Sequence, residues 1–186
     1  MFKQDDKVVY PGYGVAVVED IIEKTVGGDT ILFFKLAFLF KDMTILVPSY
    51  NIKTIGIRYP SDHATIEIAI NELQNKPERQ LESIDFTPSG WNRRQKNYQI
   101  KIQSGLLLEI VKIYRDLMYV AKQKELSFGE RSLLQSTEEL IIQEIQLVRA
   151  IQKTDIVQEL RSPFRKLLID APDKMYGQEQ PTLPSL

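Results

Sequence analysis

Gly14-Val15-Ala16-Val17-Val18-Glu19-Asp20-Ile21-Ile22-Glu23-Lys24-Thr25-Val26-Gly27-Gly28-Asp29-Thr30-Ile31-Leu32-Phe33-Phe34-Lys35-Leu36-Ala37-Phe38 is the stretch that decides the architecture of the first third of this chain. From Gly14 to Glu23 it carries Val15, Val17, Val18, Ile21 and Ile22, β-branched residues that suit a pleated surface. From Thr30 to Phe38 it carries Ile31, Leu32, Phe33, Phe34 and Leu36. Gly27-Gly28-Asp29 between them predicts a hairpin turn, because glycine takes positive φ without a Cβ clash.

Working outward, Lys7-Val8-Val9-Tyr10 ends at the turn signal Pro11-Gly12, and Met43 to Val47 stops at Pro48-Ser49. Thr54 to Ile57 reads as a fifth strand. Five short strands in about sixty residues predict a small, strongly bent antiparallel barrel. Such modules dock partners through edge strands and loops more often than they house catalytic pockets.

After Pro60 the apolar period changes to that of a helix. Asp62 to Asn75 carries Ile66, Ile68, Ala69, Ile70 and Leu73, and Lys76-Pro77 ends it. Glu78 to Ser89 is a polar connector. Trp91 to Ser104 reads as a basic helix closed by Gly105 at C′. Leu107, Ile110, Val111, Tyr114, Leu117, Met118 and Ala121 recur at spacings of three and four. Ser127-Phe128-Gly129-Glu130 is a capping-box pattern, followed by the face Leu133, Leu134, Leu140, Ile141, Ile145, Val148 and Ile151. A last short helix is expected from Thr154 to about Arg165. The fold class is therefore α+β in two domains: an antiparallel β-barrel over residues 1–60, then an all-α helical domain over 61–166. The remainder, 167–186, reads as a disordered tail, with three prolines and no periodicity after Ala171.

Composition narrows the chemistry. The 186 residues contain no cysteine and a single histidine, His63, so disulfides, thiolate nucleophiles and Cys/His zinc sites are not expected. His63 follows Asp62 at a helix start and reads as a first-turn surface residue. There is no Walker A string and no G-x-G-x-x-G. The expectation is a protein that is not an enzyme, with neither cofactor nor metal. No apolar run reaches the roughly 20 residues of a membrane span, and the start lacks a signal-peptide core. A cytoplasmic location without membrane contact is expected.

The formal net charge is -1, yet Trp91 to Lys101 holds four basic residues and no acidic one. Trp91, the only tryptophan, heads this run in Pro88-Ser89-Gly90-Trp91-Asn92-Arg93-Arg94-Gln95-Lys96. An aromatic ring beside clustered cations suits nucleic acid: the cations neutralise phosphates while the ring wedges at a base step. The competing reading is a protein-interaction module without direct DNA contact, in which Trp91 fills a core and the basic run is a solvated helix face.

Three strings resemble the CarD family of bacterial RNA polymerase-binding transcription regulators. They are Val8-Val9-Tyr10-Pro11-Gly12-Tyr13-Gly14-Val15, then Pro88 to Lys96, then Leu126-Ser127-Phe128-Gly129-Glu130-Arg131. Their order and spacing across residues 1–152 make the resemblance specific. It implies a Tudor-like N-terminal barrel that docks on the polymerase β subunit, with a related module in the transcription-repair coupling factor. It also implies a helical domain that meets promoter DNA at the upstream edge of the melted region and stabilises the open complex. By resemblance, Trp91 is a minor-groove wedge, and Arg93, Arg94, Lys96 and Arg131 are the basic positions around it. DNA contact is then largely independent of sequence, and the protein acts as a monomer. The polymerase-contact positions are Lys24 and Val26 in the hairpin and Leu46 in the following strand. Two of them depart from the family pattern: Lys24 stands for an arginine and lacks its planar fork, and Leu46 stands for an arginine and carries no charge.

Overall fold

The long hairpin is the spine of the first unit. In the computed structural model, which describes residues 1–77 and 85–165, four strands follow in order across one antiparallel sheet: β1 (Lys7–Tyr10), β2 (Gly14–Val26), β3 (Asp29–Phe38) and β4 (Thr44–Pro48). The tail beyond 166 and residues 78–84 of the polar connector lie outside the described residues. The β2–β3 turn is Gly27-Gly28 alone, at φ 64° and 95°. Two positive-φ residues in succession give a turn whose twist matches the strands it joins. β2 therefore continues past Glu23 to Val26, which pairs with Asp29.

The register shifts between Val18 and Asp20. A bulge there bends β2, so its first half pairs with β1, Val8 opposite Ala16, while β3 follows its whole length. The inner face buries Val8, Val18, Phe34, Leu36 and Val47. Each fully buried large apolar side chain of this row contributes roughly 1.5–3 kcal/mol of hydrophobic stabilisation.

The fifth strand is a correction. Ser49–Asn51 is a 3₁₀ turn leading into a helical turn, α1 (Ile52–Ile55), which ends at Gly56 with φ 83°. The physical reason is spacing: Ile52 and Ile55, three apart, both pack on the barrel core, which a helical turn allows and a strand does not. The one isolated bridge nearby, Val9 opposite Arg58, falls just after the expected strand.

The helical half follows its expected order. α2 (His63–Glu72) starts at Asp62, whose carboxylate accepts from the Thr65 N–H at 2.7 Å. α3 (Pro88–Gln103) starts three residues before Trp91, with Thr87 as N-cap. α4 (Leu107–Gln123) is the central helix. Besides its expected apolar face it buries Ile113, Arg115 and Val120, because it packs against α2, α3 and α5 together. α5 (Phe128–Arg149) opens with the expected capping box, and α6 (Lys153–Arg161) covers its far end. The shared core includes Ile66, Tyr98, Met118, Leu134, Ile145 and Leu160.

A polar joint ties sheet to helices. Glu144 on α5 is 3% exposed. Its carboxylate accepts from both Arg58 terminal nitrogens, at 2.7 and 2.9 Å, and from the Ser61 N–H at 2.8 Å. Arg58 Nε also donates to the Gly105 carbonyl at 2.8 Å. β2 begins against the same helix at Gly14, where an added Cβ would lie 2.0 Å from Gln143 Oε1 and φ is 109°. A side chain is excluded there on both counts.

Arg58→Ala is expected to lower the unfolding free energy by about 3 kcal/mol, because it leaves the Glu144 carboxylate buried without its cation. The double variant Arg58→Met/Glu144→Leu is expected to recover most of that loss. Urea denaturation of both variants beside the wild type checks the pair.

Candidate nucleic-acid interface

The head of α3 is built from short polar side chains. Asp85 Oδ1 accepts from the Thr87 N–H at 2.9 Å and from the Thr87 hydroxyl at 2.5 Å; the Thr87 hydroxyl oxygen in turn accepts from the Gly90 N–H at 3.2 Å. These bonds from Thr87 hold the Asp85 carboxyl below its usual range. Gly90 sits so close that an added Cβ would lie 2.4 Å from the Asp85 carbonyl oxygen. Trp91 therefore leaves from a turn that is fixed on both sides.

Along α3, Trp91, Arg94, Tyr98 and Ile102 follow spacings of three, four and four, which places them on one face. That face points inward. Tyr98 and Ile102 belong to the helical core, and Trp91 packs against its rim, half-buried. Arg94 is only 7% exposed. Its guanidinium donates to the Asp85 carbonyl and pairs with Glu130 at 3.4 Å, and it lies 5.9 Å from the Trp91 ring centroid, within cation–π range. The indole also meets the start of α5: an ideal Cβ on Gly129 would lie 3.4 Å from Trp91 Cζ2. The indole thus lies against both Arg94 and the start of α5.

The other sequence-predicted cations are placed differently. Arg93 is 72% exposed with one long contact, 3.5 Å to Asp85, and Lys96 is exposed on the same helix. Arg131 is partly buried and pairs with Glu125 at 3.1 Å. Arg93 and Lys96 are exposed on the same helix, whereas Arg94 is buried against the indole.

Glu130 organises this corner from below. Its carboxylate accepts from the Ser127 N–H at 2.9 Å, from Lys124 and from Arg94. Burial opposes its ionisation, but the bonds from Lys124 and Ser127 outweigh burial and hold its pKa below the ordinary 4.5. Lys124 also lies 5.7 Å from the ring centroid of Phe86. Sequence reasoning missed two aromatics here, Phe86 and the much more exposed Phe128. The second stands inside the capping-box string, whose pattern is carried by Ser127 and Glu130 alone.

A second surface lies on the outer face of the sheet. Lys24 pairs with Ile31, Ile22 with Phe33, and Leu46 with Lys35. Ile31, Phe33 and Lys35 alternate along β3, so these six share one face. Leu46 is 43% exposed on the edge strand β4, and Lys24 Nζ stands 5.9 Å from the Phe33 ring centroid. The expected contacts Lys24 and Leu46 thus share one apolar face. Phe33 at its centre was not singled out from the sequence. Val26 occupies the last β2 position before the turn.

Arg94→Ala is expected to lower stability by about 2 kcal/mol, since it removes one partner of a buried carboxylate. Arg93→Ala is expected to stay within about 0.5 kcal/mol of wild type. Chemical denaturation separates the two arginines. For Glu130, a carboxylate that holds its proton more weakly when folded contributes stability that is complete above pH 4.5 and is lost as pH falls through the folded value. The stability gap between wild type and Glu130→Gln is therefore expected to be wide near about pH 7 and to close towards about pH 3, as read by urea midpoints across that range.

No group of His, Cys, Asp or Glu that could hold a metal ion occurs among the described residues. No described helix is long and apolar enough to cross a membrane. Comparison with known proteins gives two family matches. The CarD-like/TRCF RID domain matches residues 2–59, which span the four strands and Arg58. The CarD C-terminal domain matches residues 80–161, from before α3 to the end of α6. A Bacillus subtilis (strain 168) protein named "Putative transcription factor YdeB" is 28% identical over 156 residues, which cover 84% of this chain and 97% of that protein. With both CarD domains matched in order along its two halves, the chain belongs to the CarD family.

Proposed function

We propose that this chain is a non-enzymatic transcription regulator, cytoplasmic and monomeric, that bridges RNA polymerase and promoter DNA. Residues 1–60 dock on the polymerase β subunit. Residues 61–166 stabilise the open complex, with Trp91 as a minor-groove wedge at the upstream edge of the bubble. Family membership and the name of the Bacillus subtilis relative support the transcriptional role. The observation that carries the wedge is the seating of Trp91: half-buried, in contact with Arg94 and the start of α5, with Arg93 and Lys96 exposed on the same helix. A wedge has to be stiff at its base and open at its tip, with cations near enough to meet the flanking phosphates. Unstacking a base step costs a few kcal/mol in intact duplex and less where strands already separate. A lone wedge with few free cations therefore favours DNA that polymerase has begun to melt. With phosphate contacts dominating, binding varies little with promoter sequence.

For docking, the outer sheet face offers an apolar centre, Phe33 with Ile31 and Leu46, flanked by Lys24 and Lys35. Lys35 stands directly across from Leu46 but pairs with Glu19 at 2.9 Å, so its charge is already matched within the sheet and Lys24 is the cation this face offers.

Two variants separate the surfaces. Trp91→Ala is expected to shorten the open-complex lifetime while co-purification with β is retained. Leu46→Asp is expected to lose β, because it puts an unpaired charge into a contact that is partly desolvated. Thermal midpoints measured alongside test the core reading, which predicts a loss of about 3–5 kcal/mol for Trp91→Ala. A large fall in midpoint with the wild-type lifetime preserved at low temperature would overturn the wedge.

A further inference from the structure

Phe128 has no role in the fold. It is 83% exposed, the most exposed aromatic among the described residues. The residues of α5 that turn inward are Glu130, Leu133, Leu134, Thr137 and those beyond, and the preceding Leu126 is buried, so Phe128 lies off the packing stripe. A single exposed apolar side chain is ordinary. Its position here is not. Phe128 adjoins Gly129, the residue on which the Trp91 indole rests, and consecutive Cα atoms stand about 3.8 Å apart. Phe128 is therefore rooted within one residue of the indole, on the corner where Lys124, bonded to Glu130, also lies against Phe86.

We propose that Phe128 is a second DNA-contacting residue, a platform on which an unpaired base stacks next to the step that Trp91 wedges. The inference rests on the wedge reading of Trp91. Opening a base step exposes the π-face of the neighbouring base, and stacking on an aromatic side chain recovers part of the stacking that was lost. Such stacking tolerates any base, which matches a surface whose other contacts are to phosphates. Two rings with different tasks then share one corner. The half-buried indole is stiff and parts the step; the exposed phenyl is free to meet a base already parted. The occupant is a base of the melted strand, since intact duplex offers no free π-face at that place.

The experiment uses the full chain, RNA polymerase holoenzyme and a promoter, with the open-complex lifetime as readout. Because Phe128 is exposed, Phe128→Ala is expected to keep the wild-type thermal midpoint and β binding while the lifetime falls about tenfold, the effect of losing one base–aromatic stack. Phe128→Trp is expected to keep the lifetime. In promoters carrying one abasic site at successive positions of the upstream bubble edge, one position is expected to erase the difference between Phe128→Ala and wild type. A wild-type lifetime for Phe128→Ala, with a shortened one for Trp91→Ala, overturns this inference and leaves the wedge standing. No shortening in either variant overturns both. A Phe128→Ala defect that persists at every abasic position, or that accompanies loss of β, shows a contact other than base stacking and overturns the platform.

Discussion

The Arg58–Glu144 pair is the interaction on which the rest depends. Arg58 leaves the strand half at the single bridge to Val9, and Glu144 sits deep on α5. A carboxylate buried this far is tolerable only with its charge matched and its lone pairs filled, and Arg58 with the Ser61 N–H does both. The pair is weak as a source of stability compared with apolar packing. Its value is directional: a bidentate guanidinium–carboxylate contact has one geometry. In the proposed bridging role, that one geometry sets the distance between Trp91 and the outer sheet face.

A second buried carboxylate repeats the logic at the other end of α5. Glu130 draws in Lys124 and Arg94 and closes the helix N-terminus through Ser127. The cost of burying one acid is offset by taking two cations out of the surface inventory. Hence the basic run of α3 is less cationic outside than its composition indicates: Arg94 is held by Glu130 and Lys101 by Glu109, while Arg93 and Lys96 stay exposed. The indole gains a rigid seat in exchange.

On the sheet, the bulge at Val18–Asp20 and the two-glycine turn make β2 long enough to give β3 a complete partner. Only with that length does the outer face extend as far as Lys24 opposite Ile31. The inner face takes Phe34 and Leu36 into the core, and the alternation that does so leaves Phe33 and Lys35 outside. One period-two pattern thus makes both the barrel core and the candidate docking face.

By itself the sequence determined what is local: the glycine turn of the hairpin, the change of period after Pro60, the Ser127–Glu130 capping box, and the position of Trp91 within a basic helix. Each depends on residues a few positions apart, and turn chemistry, periodicity and capping act at that range. Thr54–Ile57 was misread at the same range, because β-branched residues suited a strand while Ile52 and Ile55 packed as a helical turn. The tertiary structure alone decided the rest. Arg58 and Glu144 are 86 positions apart and Arg94 and Glu130 are 36, and no pattern along the chain relates such pairs. Arg93 and Arg94 are identical in composition and opposite in role, because a helix turns about 100° between neighbours and the core, not the residue type, decides which one is buried.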